Sequence, residues 1–470
     1  MRHAGASGDL TMAEALQTPA DAAAVPVTCL CEGDLEAWRA GAPPLEAGLA
    51  GTEFRARPGQ AVIIPGPDGR PARVLLGLGA APGEVTAFRT LAGRLPAGTY
   101  RLEGAPAGID PTDAATAFGL GLYRFERYRK REAAPPTLIV PGADAAEASA
   151  IAEACALAKD LVNTPANDLG PAELEAAARD LAARFGAQVE VITGEDLLSR
   201  GYPAVHAVGR AAAPGREPRM IEVTWGEAGR PVLALVGKGV VFDTGGLDLK
   251  PSSGMRLMKK DMGGAAHVLA LGSLVMQAAL PVRLSILVPA VENAVSGGAM
   301  RPGDVLATRR GLSVEVGNTD AEGRLILADA LTRAAELSPD LTLDMATLTG
   351  AARVALGPQL PPYFTDDEAL AAGIEAGARK AFDPVWRLPL WKGYLPSLDS
   401  DIADLKNDPD AWAQAGAMTA ALFLQKFAPP GAWAHFDIFA WNPRGRPGAP
   451  AGGEAMAIRG LYAMLKARYA

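Results

Sequence analysis

The chain has 470 residues, more than a single hydrophobic core usually organises, so two domains are expected. With 49% hydrophobic and 21% charged residues it is not a largely disordered chain, and a formal net charge of -8 argues against a broad nucleic-acid-binding surface, which needs an excess of Lys and Arg. The three cysteines, Cys29, Cys31 and Cys155, have neither the even count of a disulfide framework nor the spacing of a zinc site, and fit a reducing cytoplasm.

The first residues are Ala-rich but interrupted by Asp9, Glu14, Gln17 and Asp21. They lack the unbroken apolar core of a signal peptide, and a partly ordered tail is expected over residues 1–24. From 25 to 141, apolar runs at 61–65, 73–77 and 137–140 alternate with helical stretches, one of them over 113–128. That alternation predicts a small N-terminal α/β domain. Gly77-Leu-Gly79 resembles the start of a dinucleotide loop, but Pro82 stands where the third glycine belongs, so a tight strand-to-helix turn is expected. The basic run from Arg124 to Arg131 reads as a solvated helix face.

Pro135, Pro136 and Pro141-Gly142 punctuate the chain before a helical pattern over 143–162, expected to bridge two domains within residues 142–165. A larger C-terminal α/β catalytic domain then covers 166–470. Buried-looking strands at 232–236, 284–289, 313–316, 341–345 and 434–438 alternate with helices at 265–277, 325–336 and 415–427. This predicts a central mixed, mostly parallel sheet flanked by helices, with ligands bound beyond the carboxyl ends of the strands. The longest near-apolar stretch, 265–280, carries His267, Ser273 and Gln277 and is too short and too polar for a membrane span.

The strand at 232–236 runs into Gly237-Lys238-Gly239, and a lysine that a buried strand delivers to the crevice is not an ordinary surface lysine. Asp243, Lys250 and Asp261 follow. The strand at 313–316 ends in Gly317-Asn-Thr-Asp320-Ala-Glu322-Gly-Arg324, so the carboxylates are expected to converge. Two simpler readings compete. Thr319-x-x-Glu322 ahead of Leu325-Ile-Leu has the form of a capping box. Asp243-Thr-Gly245 has the form of an aspartic protease's carboxylate loop, but that chemistry needs two such carboxylates and no second Asp-Thr-Gly occurs. His-Glu-x-x-His and Gly-x-Ser-x-Gly motifs do not occur. With His3, His206, His267 and His435 as the whole histidine set, oxygen ligands must dominate any metal site, and His435 reads as a packed strand residue.

Lys238, Asp243, Lys250, Asp261 and the octapeptide Asn318-Thr-Asp-Ala-Glu-Gly-Arg-Leu325 resemble the leucyl (cytosolic) aminopeptidase family. The resemblance runs from about Ala158 onward and includes Asn163-Thr-Pro-Ala-Asn and Ala346-Thr-Leu-Thr-Gly350. It implies an aminopeptidase with two divalent metal ions per chain, Zn or Mn, or else Mg or Co. Asp243 and Glu322 would bridge the metals, Lys238 and Asp261 would complete one shell, and Asp320 the other. Burial beside two dications would keep Lys238 a neutral amine. A water between the metals, acidified to hydroxide, would attack the scissile carbonyl while one metal holds the substrate's α-amine.

The resemblance further implies that Lys250 faces the developing oxyanion and that Arg324 holds a bicarbonate ion serving as general base. Met258, Asn318, Thr347, Leu348 and Gly350 would surround the peptide, with Met258 as a wall of a pocket for apolar, leucine-like side chains. A homo-hexamer in the cytoplasm is also implied. A non-catalytic, metal-stabilised relative would not need Lys250 with Arg324, and both are present. Phe439 and Trp441 depart from the family's Ala-Gly after His435-Phe-Asp437-Ile, which leaves the preferred residue open.

Overall fold

The protein is described from a computed structural model covering residues 15–16, 23–44, 47–48, 54–80, 83–104, 108–130, 134–409 and 414–470. Most of the expected tail over 1–24, together with Pro82 and Arg131, lies outside the described residues. The chain divides into two compact units. One extends to Ala156 and takes in Asn442–Ala451; the other comprises Leu157–Trp441 and Gly452–Ala470.

In the first unit five strands form one sheet in the order β2-β3-β1-β4-β5. They are β1 (Val25–Cys31), β2 (Ala61–Pro65), β3 (Pro71–Gly79), β4 (Thr99–Leu102) and β5 (Thr137–Ile139). β2 runs antiparallel to β3 and the other pairs are parallel. Phe88 and Leu91 of α1 (Thr86–Ala92) and Phe118 of α2 (Pro111–Leu122) join Val27, Val74, Leu76 and Leu138 in the core. Gly77 lies inside β3 instead of opening a turn: a Cβ there would stand 2.3 Å from the Arg57 carbonyl oxygen, so the strand needs a bare position. The chain first turns at Gly79, with φ of +79°.

The basic run is not a helix face. Asp110 accepts from the Thr112 and Asp113 N–H groups and Pro111 sits at the first turn, so α2 begins early and ends at Leu122. Tyr123 is extended, and Arg124 Nη1 donates to the Gly121 and Tyr123 carbonyls at 3.1 and 2.8 Å, closing the helix end at which the basic run begins.

Helix α3 (Ala145–Asn163) contains the division between the units, and the second unit is built on one large sheet. Its strands are β6 (Gln188–Thr193), β7 (Arg219–Trp225), β8 (Val232–Gly237), β9 (Gly239–Asp243), β10 (Arg283–Asn293), β13 (Leu341–Ala346), β14 (Pro362–Phe364), β15 (Trp386–Arg387) and β17 (Trp433–Asp437). The order is β15-β14-β17-β13-β8-β10-β7-β6, with β9 also paired to β10. β17, β13, β8 and β10 run parallel side by side. The mixed, mostly parallel sheet expected from the sequence is therefore present.

One predicted strand is elsewhere. Residues 313–316 contribute β12 (Ser313–Glu315) to a separate sheet, between β11 (Val305–Ala307) and β16 (Leu405–Lys406). Of its three residues Val314 alone is buried, too little apolar surface for a central strand.

Helices cover both faces. Ala234 and Val236 of β8 share a core with α4 (Pro203–Gly209) and α6 (Glu322–Glu336). A Cβ at Gly237 would meet Val268 of α5 (Gly263–Gln277) at 2.4 Å, so the alternate residues Leu233 and Leu235 point to the other face, where α5 packs. His267 is locked within that layer: its Nδ1 lies 2.6 Å from the Gly263 carbonyl oxygen and its Nε2 accepts from the Met456 N–H at 3.0 Å. His435 is a packed residue, as expected, with Nδ1 2.5 Å from Asp344 Oδ1 and its ring stacked on Phe364.

Asp329 on α6 ties the layers together. Its carboxylate is buried and accepts N–H groups from Ala204, Val205 and Arg309 at 2.9, 3.2 and 2.8 Å. Removing it would leave those donors unmatched where water cannot easily replace the acceptor. Asp329→Ala is expected to destabilise the second unit by about 3 kcal/mol or more, read from the shift of the urea midpoint. Asp329→Asn keeps one acceptor oxygen and should lose less.

Candidate active site

The site is built at the carboxyl ends of β8, β13 and β17. Lys238 separates β8 from β9; its N–H donates to the Met345 carbonyl at 3.0 Å and its carbonyl accepts from Ala265 N–H at 2.8 Å. Both neighbours therefore fix the backbone of this lysine. Its side chain passes over the first turn of α6, where a Cβ on Gly323 would stand 2.7 Å from Lys238 Nζ. Glycine at 323 is what admits the amine to the interior.

Four carboxylates meet three ammonium groups there, those of Lys238, Lys250 and Lys260. Lys238 Nζ lies 2.7 Å from Asp261 Oδ2 and 2.9 Å from Glu322 Oε1. Apart from these ion pairs, Asp261 Oδ2 and both Glu322 oxygens are buried acceptors without a hydrogen bond among the described residues. Lys250 Nζ lies 2.7 Å from Asp243 Oδ2 and contacts Asp320 Oδ1. One oxygen each from Asp243, Asp320 and Glu322 falls within 4.8 Å of the others, a group able to hold a metal ion. All five ligand candidates, Lys238, Asp243, Asp261, Asp320 and Glu322, are thus brought together.

The electrostatics follow from that count. Burial pushes Glu322 and Asp320 above the usual carboxylate range, and the neighbouring Asp243 adds to both. Burial alone would depress Lys238 and Lys250, but the surrounding carboxylates outweigh it and hold both ammonium groups well above their ordinary range. Four acids against three ammonium groups, with Lys260 Nζ 3.6 Å from Asp261 Oδ1, leave the cluster one positive charge short.

The second motif is not a capping box. Glu322 is the first residue of α6, and Ala321 at the cap position makes no side-chain bond. Thr319 instead donates through Oγ1 to the Gly245 carbonyl at 2.6 Å and receives the Asp248 N–H at 2.8 Å, while its own N–H donates to Asp248 Oδ2 at 2.8 Å. The loop after β9 and the loop after β12 are clasped together. The aspartic-protease form also fails, because the group facing Asp243 Oδ2 is an ammonium, not a proton-sharing acid.

Several supporting residues carry no sequence signal of their own. Asn293, at the end of β10, donates from Nδ2 to Asp243 Oδ1 and to the Thr319 carbonyl, at 2.8 and 3.1 Å. Fully buried Asn407 accepts from the Gly317 and Asn318 N–H groups and donates to the Asn318 and Ala321 carbonyls. Asp437 accepts from the Leu348 and Thr349 N–H groups, both at 3.1 Å, and from Thr349 Oγ1 at 2.6 Å. A lone Asn or Asp is common in any chain; position at a strand end was the one available clue, and it applied to Asn293 and Asp437.

The remaining predicted residues surround the cluster. Thr347 donates from Oγ1 to Asp261 Oδ1 at 2.9 Å, and its carbonyl lies 3.3 Å from Lys238 Nζ. Leu348 follows, and Gly350 opens helix α7 (Gly350–Leu356). Asn318 accepts the Asp320 N–H at 2.8 Å and so shapes the loop it sits on. Met258 begins the short 3-10 turn Met258–Met262 that carries Asp261. Arg324 is buried in the first turn of α6, and its Nε and Nη1 have no hydrogen-bond partner among the described residues. A cavity of about 550 Å³ is lined by Glu222, Thr224, Arg283 and Arg333 among others and shares no residue with this cluster.

Residues 156–462 match the family described as cytosol aminopeptidase family, catalytic domain, and residues 25–141 match the M17 aminopeptidase N-terminal domain. This chain belongs to the cytosol aminopeptidase family. A curated relative from Syntrophotalea carbinolica, "Probable cytosol aminopeptidase", is 42% identical over 388 residues, 78% of this chain and 77% of that one. The crystal structure of the cytosol aminopeptidase from Coxiella burnetii is 43% identical with a TM-score of 0.92, covering 97% of this chain and all of that one. The bottromycin maturation enzyme BotP, solved in complex with Mn, is 37% identical with a TM-score of 0.86, covering 95% and 100%. As a cytosol aminopeptidase the chain is a metal-dependent hydrolase of the leucyl aminopeptidase type. Among the described residues no helix is long and apolar enough to cross a membrane.

Proposed function

We propose that this aminopeptidase binds two divalent metal ions through Lys238, Asp243, Asp261, Asp320 and Glu322, and releases the N-terminal residue of peptides. The observation that carries the reading is the charge deficit: four carboxylates, three of them almost wholly buried, face only the three ammonium groups of Lys238, Lys250 and Lys260, and Glu322 Oε2 has no hydrogen-bond partner among the described residues. A mainly oxygen donor set of this kind suits Zn, Mn, Mg or Co. Divalent metals bound there would acidify a water and polarise the scissile carbonyl.

The chain's own residues do the rest. Asp243, Glu322, Lys238, Asp261 and Asp320 would hold the metals, with Asp243 and Glu322 shared between them, and Lys238 would serve as a ligand in its neutral amine form. Lys250, with its carboxylate partners engaged, presents its ammonium to the oxygen on which negative charge develops. Arg324, buried and with Nε and Nη1 lacking a hydrogen-bond partner among the described residues, would hold a bicarbonate ion, which would supply the general base. The backbone of Thr347, Leu348 and Gly350 and the side chain of Asn318 line the peptide's path, and Met258 gives the first side chain an apolar wall. A homo-hexamer working in the cytoplasm completes the reading.

The test is hydrolysis of Leu-p-nitroanilide before and after dialysis against a chelator. Activity is expected to fall at least a hundredfold and to return on adding Mn or Zn. Activity indifferent to the chelator, or none from metal-loaded protein on any aminoacyl substrate, would sink the proposal.

A further inference from the structure

One buried cation beside the cluster has no part in the chemistry above. Lys260 stands two residues after Met258 and one before Asp261, in the turn Met258–Met262, and is 6% exposed. Its nearest described carboxylate is Asp261, whose Oδ1 lies 3.6 Å from Lys260 Nζ and already accepts from Thr347. The Phe439 ring also lies beside it, 5.4 Å from Nζ to the centroid, and the buried Asp437 is a more distant counter-charge. The exposed Arg353 guanidinium lies 5.0 Å from the same centroid. Phe439 thus contacts two cations, one interior and one at the surface.

We propose that Lys260 reads the side chain of the substrate's first residue and extends the range of the enzyme to acidic side chains on an apolar stem, glutamate above all. The inference rests on the aminopeptidase reading of the site. Once Asp261 serves a metal, Lys260 loses its nearest counter-charge and faces added positive charge instead. An apolar side chain seated between Met258 and Phe439 would strip water from that ammonium and return nothing. A glutamate side chain lays two methylene groups along the same Met258 and Phe439 surfaces and ends in a carboxylate that restores the lost ion pair.

The experiment compares kcat/KM of the Mn-loaded enzyme on Glu-, Gln- and Leu-p-nitroanilide at neutral pH. Gln matches Glu in shape and lacks its charge, so the Glu/Gln ratio isolates the ion pair. A wild-type ratio of about ten or more is expected, falling to about one in Lys260→Met, with metal content and thermal midpoint measured to show that the variant is folded. A wild-type ratio of one or below overturns the inference without need of any variant, as does a high ratio that Lys260→Met leaves unchanged. Hydrolysis of Leu-p-nitroanilide with a Glu/Gln ratio of one removes this inference alone. Hydrolysis of none of the three removes the exopeptidase reading with it.

Discussion

Lys250→Met is expected to lower kcat on Leu-p-nitroanilide by about 10²–10³ while leaving two metal ions bound per chain, the size of effect seen when one group that stabilises an oxyanion is removed. Methionine keeps the length and packing of the side chain and deletes its charge. In the described state the ammonium sits between Asp243 and Asp320, 2.7 Å from Asp243 Oδ2. With those carboxylates engaged as ligands in the proposed site, the ammonium would be left without its counter-charges beside the reacting centre. Steady-state kinetics and metal analysis on the same preparation separate the outcomes. A loss of metal in step with activity would show that Lys250 orders the ligands and does not act on the substrate.

Glu322→Gln should do more. Glutamine is nearly isosteric, but it removes one of four negative charges and the residue assigned to both metals. Loss of a buried partner in such a cluster costs about 3–5 kcal/mol, so metal affinity should weaken by at least about a hundredfold and activity by about 10³. Isothermal titration with Mn and rates at saturating Mn check the two effects separately; unchanged affinity would remove Glu322 from the ligand set. The wild type carries a pH signature of the same residue. Its carboxyl group lies above the usual range and Lys238 is protonated in the metal-free chain, so binding a metal displaces protons. Apparent metal affinity, and activity at limiting metal, should therefore fall as the pH is lowered from neutrality.

Much of the site was legible because its motifs are short and local. Gly237-Lys238-Gly239 puts a charged residue between two buried strands, and the stretch from Asn318 to Leu325 puts charged residues where a loop meets a helix, placements that ordinary packing does not favour. The parallel sheet was legible for a similar reason, since strands buried on both faces read as continuous apolar runs. What stayed hidden depends on partners far away in the chain. Asn407 is one polar residue in a polar stretch, and its four hydrogen bonds to residues 317–321 exist only in three dimensions. Residues 313–316 looked like a central strand because apolar alternation reports burial without naming the sheet. The basic run at 124 was read as helix because periodicity continued past Leu122; the extended Tyr123 and the Arg124 cap ended it.

The grip of Asn407 on the loop that carries Asp320 also dictates an order of events during synthesis. The last residue assigned to metal binding, Glu322, emerges from the ribosome well before Asn407, and Asp437, which braces the loop after β13, emerges later still. A growing chain therefore owns every ligand before it owns the clamp that holds the Asp320 loop in place. The loop that carries Asp320 reaches its full set of hydrogen bonds only after the later part of the second unit has folded against it.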